Sequence, residues 1–179
     1  MVRARAIDRV GRSGSGVFPG RIRIRDIGTA GETDAAELLR RGRVRLSQGT
    51  QRAVDEAVAI LKTAVGFAPA DGDAHYALAQ SLFLTGNRSE ALMHLRKAVE
   101  LLPIQAAYRL ELVEKLLAET KKTGEEALLT EARANLEKIS LDELYVRSDF
   151  ALLREKYRAA EQALAELGRS RAERLEDER

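Results

Sequence analysis

The side chains best able to do chemistry in this 179-residue chain are few and poorly spaced for it. The two histidines, His75 and His94, are neither four residues apart nor near a cysteine, because there is no cysteine at all. A tetrahedral metal site needs several nitrogen or sulfur donors brought together, so no metal site is expected. Without thiols there are no disulfides and no thiolate catalysis, which fits a reducing compartment. The acidic runs Glu125-Glu126 and Glu176-Asp177-Glu178 read as a helix start and a solvated tail. The glycine-rich GRSGSG at 11–16 lacks the lysine that a phosphate-cradling loop places after its last glycine. No hydroxyl has a base at a telling distance. Catalytic residues, cofactors and metals are therefore not expected.

Charge distribution is more informative. Residues 1–50 carry 11 Arg against 5 acids, a net +6. Residues 51–179 carry 19 Lys+Arg against 23 acids, a net −4, and together these give the overall +2. The basic character belongs to the front of the chain. In RIRIRDI (21–27), Arg21, Arg23 and Arg25 alternate with Ile22, Ile24 and Ile27. Period-two alternation reads as a half-buried strand, able to pair with a partner's edge or to lie along the rest of the molecule. Six glycines and a proline among residues 11–31 break any helix. Residues 1–31 are thus expected to form a basic, non-helical extension; a solvated tail or a start assigned too early is the plainer reading. The N-terminus lacks the apolar core of a secretory signal, and its arginine excess only faintly matches an organelle leader. No apolar run reaches the roughly 18 residues of a membrane span. A cytoplasmic location is expected.

From residue 32 the pattern is helical. Alanine and leucine supply most of the apolar content, and aromatics are only 4%. Thr33 or Asp34, with Glu37 three residues after the latter, predicts a first helix running to Gly49. AVDEAVAILKTAV (53–65) is its partner, ended by Pro69. A second pair opens at Asp73, turns at Gly86-Asn87 and ends at Pro103. Ala57, Leu61, Ala64 and Pro69 recur as Ala91, Leu95, Ala98 and Pro103, each 34 residues on. Short alanines let two helices approach closely, the leucine fills the remaining space, and proline ends the second helix. A third, looser pair covers 106–120 and Thr123–Ile139. Ser140 with Glu143 starts a short segment, and Ser148 caps a last helix carrying Phe150, Leu153, Tyr157, Ala160, Leu164 and Leu167, with Gly168 as its stop. The end, RSRAERLEDER (169–179), reads as a charged tail that frays.

This spacing resembles the tetratricopeptide repeat, whose period is 34 with an A-x3-F…P second half. The resemblance is clearest over 72–105, where His75, Leu78, Ala79 and Leu82 stand at the family's Trp, Leu, Gly and Tyr positions and Gly86 lies in the turn. It is partial over 35–71, where the turn carries a three-residue insertion and Arg41 and Arg45 replace apolar positions, as suits a terminal unit. Beyond 106 it is degenerate. The resemblance implies an all-α fold: a right-handed α-solenoid of helix-turn-helix repeats over 32–168 with a C-terminal capping helix. His75 becomes a packing residue, and His94 is expected to be solvated.

In this family the first helices line a concave groove through positions 5, 9 and 12. Carried over, these are Leu39, Arg43 and Leu46; Tyr76, Gln80 and Phe83; and Leu110, Glu114 and Leu117. Two apolar rows would flank a polar row, suiting an amphipathic helix or extended peptide. The implied role is a non-catalytic scaffold or adaptor that binds another protein, with Arg21, Arg23 and Arg25 as a second contact. Three units are near the minimum for a stable stack, which leaves room for a homo-oligomer. The alternative is association with nucleic acid or another polyanion through the Arg-rich front. Scarce aromatics and a net acidic body disfavour nucleic acid.

Overall fold

The structure, a computed structural model, describes residues 24–139 and 151–177. Seven helices are found among them: α1 Ile24–Ser47, α2 Gln51–Phe67, α3 Gly72–Leu84, α4 Arg88–Leu101, α5 Ala106–Thr123, α6 Glu126–Glu137 and α7 Ala151–Asp177. Each of the pairs α1–α2, α3–α4 and α5–α6 is a tightly packed helical hairpin, and successive pairs stack. The result is an all-α solenoid of helix-turn-helix repeats.

The chain breaks into hairpins where sequence and backbone chemistry require it. Each turn within a pair holds a glycine at positive φ: Gly49 at 68°, Gly86 at 83° and Gly124 at 74°, a region that side-chain-bearing residues rarely enter. Thr50 caps α2 by accepting from the Ala53 amide at 3.3 Å. Asp71, rather than Asp73, caps α3, its carboxylate accepting from the Asp73 and Ala74 amides at 2.9 and 3.2 Å. Glu125 stands at the N-cap of α6 without a side-chain cap bond, and Thr123 instead ends α5.

The repeated alanines and leucines form the core. Ala57, Leu61, Ala64, Ala91, Leu95 and Ala98 all have no exposed surface. Small residues let the helices close: a Cβ on Gly42 would lie 2.5 Å from Leu61 Cγ, so α1 and α2 touch where only glycine fits. One apolar cluster gathers Leu39, Leu61, Leu78 and Leu82. A second runs from Leu92 and Leu95 through Leu110, Leu116 and Leu136 to Tyr157 and Ala160 of α7. Repeats are also stitched by the buried fourth residues of α3 and α5. His75 Nε2 donates to the Pro69 carbonyl at 3.1 Å, and Arg109 Nη2 donates to the Pro103 carbonyl at 2.9 Å. These residues are 34 apart and answer the same carbonyl of the preceding proline.

Three sequence expectations are corrected. α1 starts at Ile24, not near Thr33, so the strand expected over 21–27 is absent from Ile24 on and Arg25 is helical. A lone strand would leave a row of backbone groups with no ladder partner, whereas a helix satisfies its own. α7 continues through Gly168 to Asp177, across the expected stop and into the expected tail. α6 starts at Glu126 instead of Thr123, and its buried stripe is Leu129, Ala132 and Leu136. Arg21, Arg23, Ser140, Glu143, Ser148 and Phe150 lie outside the described residues.

Candidate partner-binding face

The nine residues expected to line the groove divide into two groups. Leu39, Leu110 and Leu117 are core: they are 9%, 0% and 4% exposed, which removes them from any accessible face. The cause at Leu110 and Leu117 is α7. Where α3 leans on the second helix of the preceding pair more than the first, α7 leans on α5 more than on α6. It therefore lies over the side of α5 that carries Leu110, Glu114 and Leu117. Glu114 is half-buried and paired with Lys156 of α7 at 3.3 Å. The third rung of the expected groove is occupied by the protein's own C-terminal helix.

The first two rungs remain accessible. Arg43 is exposed and pairs with Asp73 at 3.4 Å. Leu46 is half-buried against the first core cluster. Tyr76 stacks on Tyr108, with ring centroids 3.8 Å apart and planes 14° from parallel. Its hydroxyl donates to the Glu111 carboxylate and accepts from Gln80 Nε2 at 3.0 Å. The Tyr108 hydroxyl donates to Asp73. Burial, and then the adjacent carboxylate, push both phenols well above the usual tyrosine range. They remain protonated donors at any physiological pH, so the pair orients carboxylates and does no proton abstraction. Phe83 is half-buried with Lys115 Nζ 4.7 Å from its ring centroid, a cation–π contact.

Sequence reasoning missed Tyr108, Glu111 and Lys115. They lie at i, i+3 and i+7 on α5 and form a polar stripe directed at α3. The family register points instead to Leu110, Glu114 and Leu117, one helical face away. The available signal was this spacing of three polar or amphipathic residues, read without the register. The accessible face is thus two half-buried aromatics framed by Arg43, Gln80, Glu111 and Lys115.

His94, expected to be solvated, is half-buried with Nδ1 2.9 Å from Nδ1 of His75. The Pro69 carbonyl can only accept, so Nε2 of His75 carries the proton and its Nδ1 accepts from His94 Nδ1–H. The pair ties α3 to α4. Burial, then the facing His75, hold the His94 pKa below its ordinary 6.5; Lys62 adds to this and Glu90 opposes it. The unfolded chain therefore binds the proton more tightly, so this contribution to stability is full above about pH 6.5 and is lost as pH falls through the folded value. Wild type is expected to lose more melting temperature between pH 7.5 and pH 5.5 than His94→Gln. Parallel losses in the two proteins, measured by thermal circular dichroism, would remove His94 as the cause. Among the described residues no group of three or more His, Asp or Glu side chains could hold a metal ion. No described helix is long and apolar enough to cross a membrane.

Comparison with known proteins places the architecture. No family model matches the sequence, and no curated protein matches it. Among solved structures, the crystal structure of MamA superposes with a TM-score of 0.51 at 20% sequence identity, covering 83% of this chain and 88% of that one. At that identity the likeness concerns the fold, a tetratricopeptide-like stack of helical repeats.

Proposed function

We propose that this chain is a non-catalytic protein-interaction module, a scaffold or adaptor that holds a partner's amphipathic helix or extended peptide. The docking face is the open part of the first-helix surface: Arg43 and Leu46 on α1, Tyr76, Gln80 and Phe83 on α3, and Lys115 on α5. The observation that carries the reading is the placement of Tyr76 and Phe83, half-buried and framed by polar groups, along one first helix, α3, of a helical-repeat stack. Aromatic anchors with a polar rim are the usual source of affinity in protein interfaces. A partner of this kind places apolar residues about two helical turns apart, matching the i, i+7 spacing of Tyr76 and Phe83, and a carboxylate against Arg43 or Lys115. The Arg-rich front, with Arg21, Arg23 and Arg25, would add a second, salt-sensitive contact. The reading places the protein in the cytoplasm.

Affinity capture from the native cell tests this, with the full chain and its Phe83→Ala variant as baits. A specific protein held by the full chain should bind the variant at least about tenfold more weakly, the scale of a lost hot-spot aromatic. Equal retention by both baits would move the contact off this face. The salt response separates the alternative role. Binding that collapses between low and moderate ionic strength, with nucleic acid in the eluate, would assign the interaction to the arginines, since phosphate contacts release counterions. Apolar anchoring should survive the same change.

A further inference from the structure

We propose that the notch between the α5–α6 turn and α7 is a binding site for a phosphate-class oxyanion. It encloses about 340 Å³ and is lined by Lys121, Lys122, Arg171 and Arg174 with the hydroxyl-bearing Thr123 and Ser170. No carboxylate is among its lining residues. This concentration of positive charge stands on a body that is net acidic: residues 24–179 carry 24 Lys+Arg against 27 Asp+Glu, a net −3.

Internal partners account for only half of these cations. Lys122 Nζ contacts Glu119 at 3.0 Å. Arg171 donates to Glu126 at 2.7 Å and to the Gly124 carbonyl at 3.2 Å, which also answers the end of α5. Lys121 and Arg174 have no carboxylate partner among the described residues, and Arg174 Nε donates only to the Ser170 carbonyl. Arg171 is thus held in place by Glu126 and the Gly124 carbonyl, and Lys121 and Arg174 are the cations left to meet a ligand in the notch.

The chemistry selects the ligand. Guanidinium groups bind phosphate oxygens in pairs, lysine adds a mobile point charge, and hydroxyls complete the shell. The space and the four cations suit a diphosphate better than a monovalent anion. The site is separate from the aromatic face on α3.

Calorimetric titration of the full chain with inorganic pyrophosphate, at fixed ionic strength against sodium chloride, tests the proposal. Saturable binding is expected, weakened at least tenfold in Lys121→Ala/Arg174→Ala. Both side chains are exposed, so the fold should be retained, and circular dichroism checks this. A charge-matched control, Arg52→Ala/Lys138→Ala, alters two exposed residues elsewhere and should bind as wild type does. Repeating the titration with ADP separates a free diphosphate, bound equally well, from one carried on a nucleotide, bound more tightly; either supports the site. No saturable heat, or equal weakening in the two double variants, would overturn it.

Discussion

Leu61→Ala is expected to lower the free energy of unfolding by about 2–5 kcal/mol, as truncation of a fully buried leucine generally does. Leu61 has no exposed surface, and it fills the contact where α2 crosses Gly42 of α1. Gly42 itself supplies the sharper experiment. A Cβ there would meet Leu61 Cδ2 and Cγ, both at 2.5 Å, and the branch carbon cannot swing aside as a chain end can. Gly42→Ala should therefore cost about 1–3 kcal/mol through overpacking, although alanine is the better helix former by about 1 kcal/mol. In the Leu61→Ala background the added methyl enters vacated space, so the same change should become neutral or stabilising. Chemical denaturation of the four proteins gives the coupling directly. Equal cost of Gly42→Ala in both backgrounds would mean that the helices are not held by this contact.

That contact also shows why much of the fold was legible. Close helix approach demands small residues at fixed intervals. The 34-residue recurrence of Ala57, Leu61 and Ala64 as Ala91, Leu95 and Ala98 records that demand, and all six are fully buried. The turn glycine Gly86 was legible for a related reason, since its φ of 83° restricts what can stand there. Other features depend on long-range packing that no local pattern encodes. Alternating Arg and Ile before residue 27 satisfies a strand template, but a strand needs a neighbour and the described chain offers none. Gly168 carries a stop signal that α7 overrides across its packing with α5 and α6. The candidate face was half legible. The register located Tyr76, Gln80 and Phe83 because α3 follows the repeat closely. It misplaced the α5 contribution because the element covering Leu110 and Leu117 lies some forty residues later in sequence. His94 was misread for the same reason: its partner His75 is on the other helix of the hairpin.

Tyr157→Ala is expected to cost about 3–5 kcal/mol, the range for removing a large buried ring, and to do so unevenly along the molecule. Tyr157 is 8% exposed and belongs to the cluster that includes Leu110, Val113 and Leu116. Two ion pairs of α7 are partly exposed, Lys156–Glu114 at 3.3 Å and Arg171–Glu126 at 2.7 Å. Pairs of that kind contribute about 0–1 kcal/mol each, so α7 depends mainly on its apolar face, in which Tyr157 is the largest buried side chain. In a stack of repeats each unit touches only its neighbours, and stability is nearly a sum of unit and interface contributions. The loss should therefore be local. Hydrogen exchange read by mass spectrometry should show amides of α5 and α6 losing protection at low denaturant. Those of α1 and α2, two units away and in the other core cluster, should stay close to wild type. Uniform loss across all helices would mean that the two clusters fold as one cooperative unit, with α7 closing the whole stack. Local loss would instead make α7 a cover for Leu110 and Leu117 that can loosen while the Tyr76–Phe83 face stays formed.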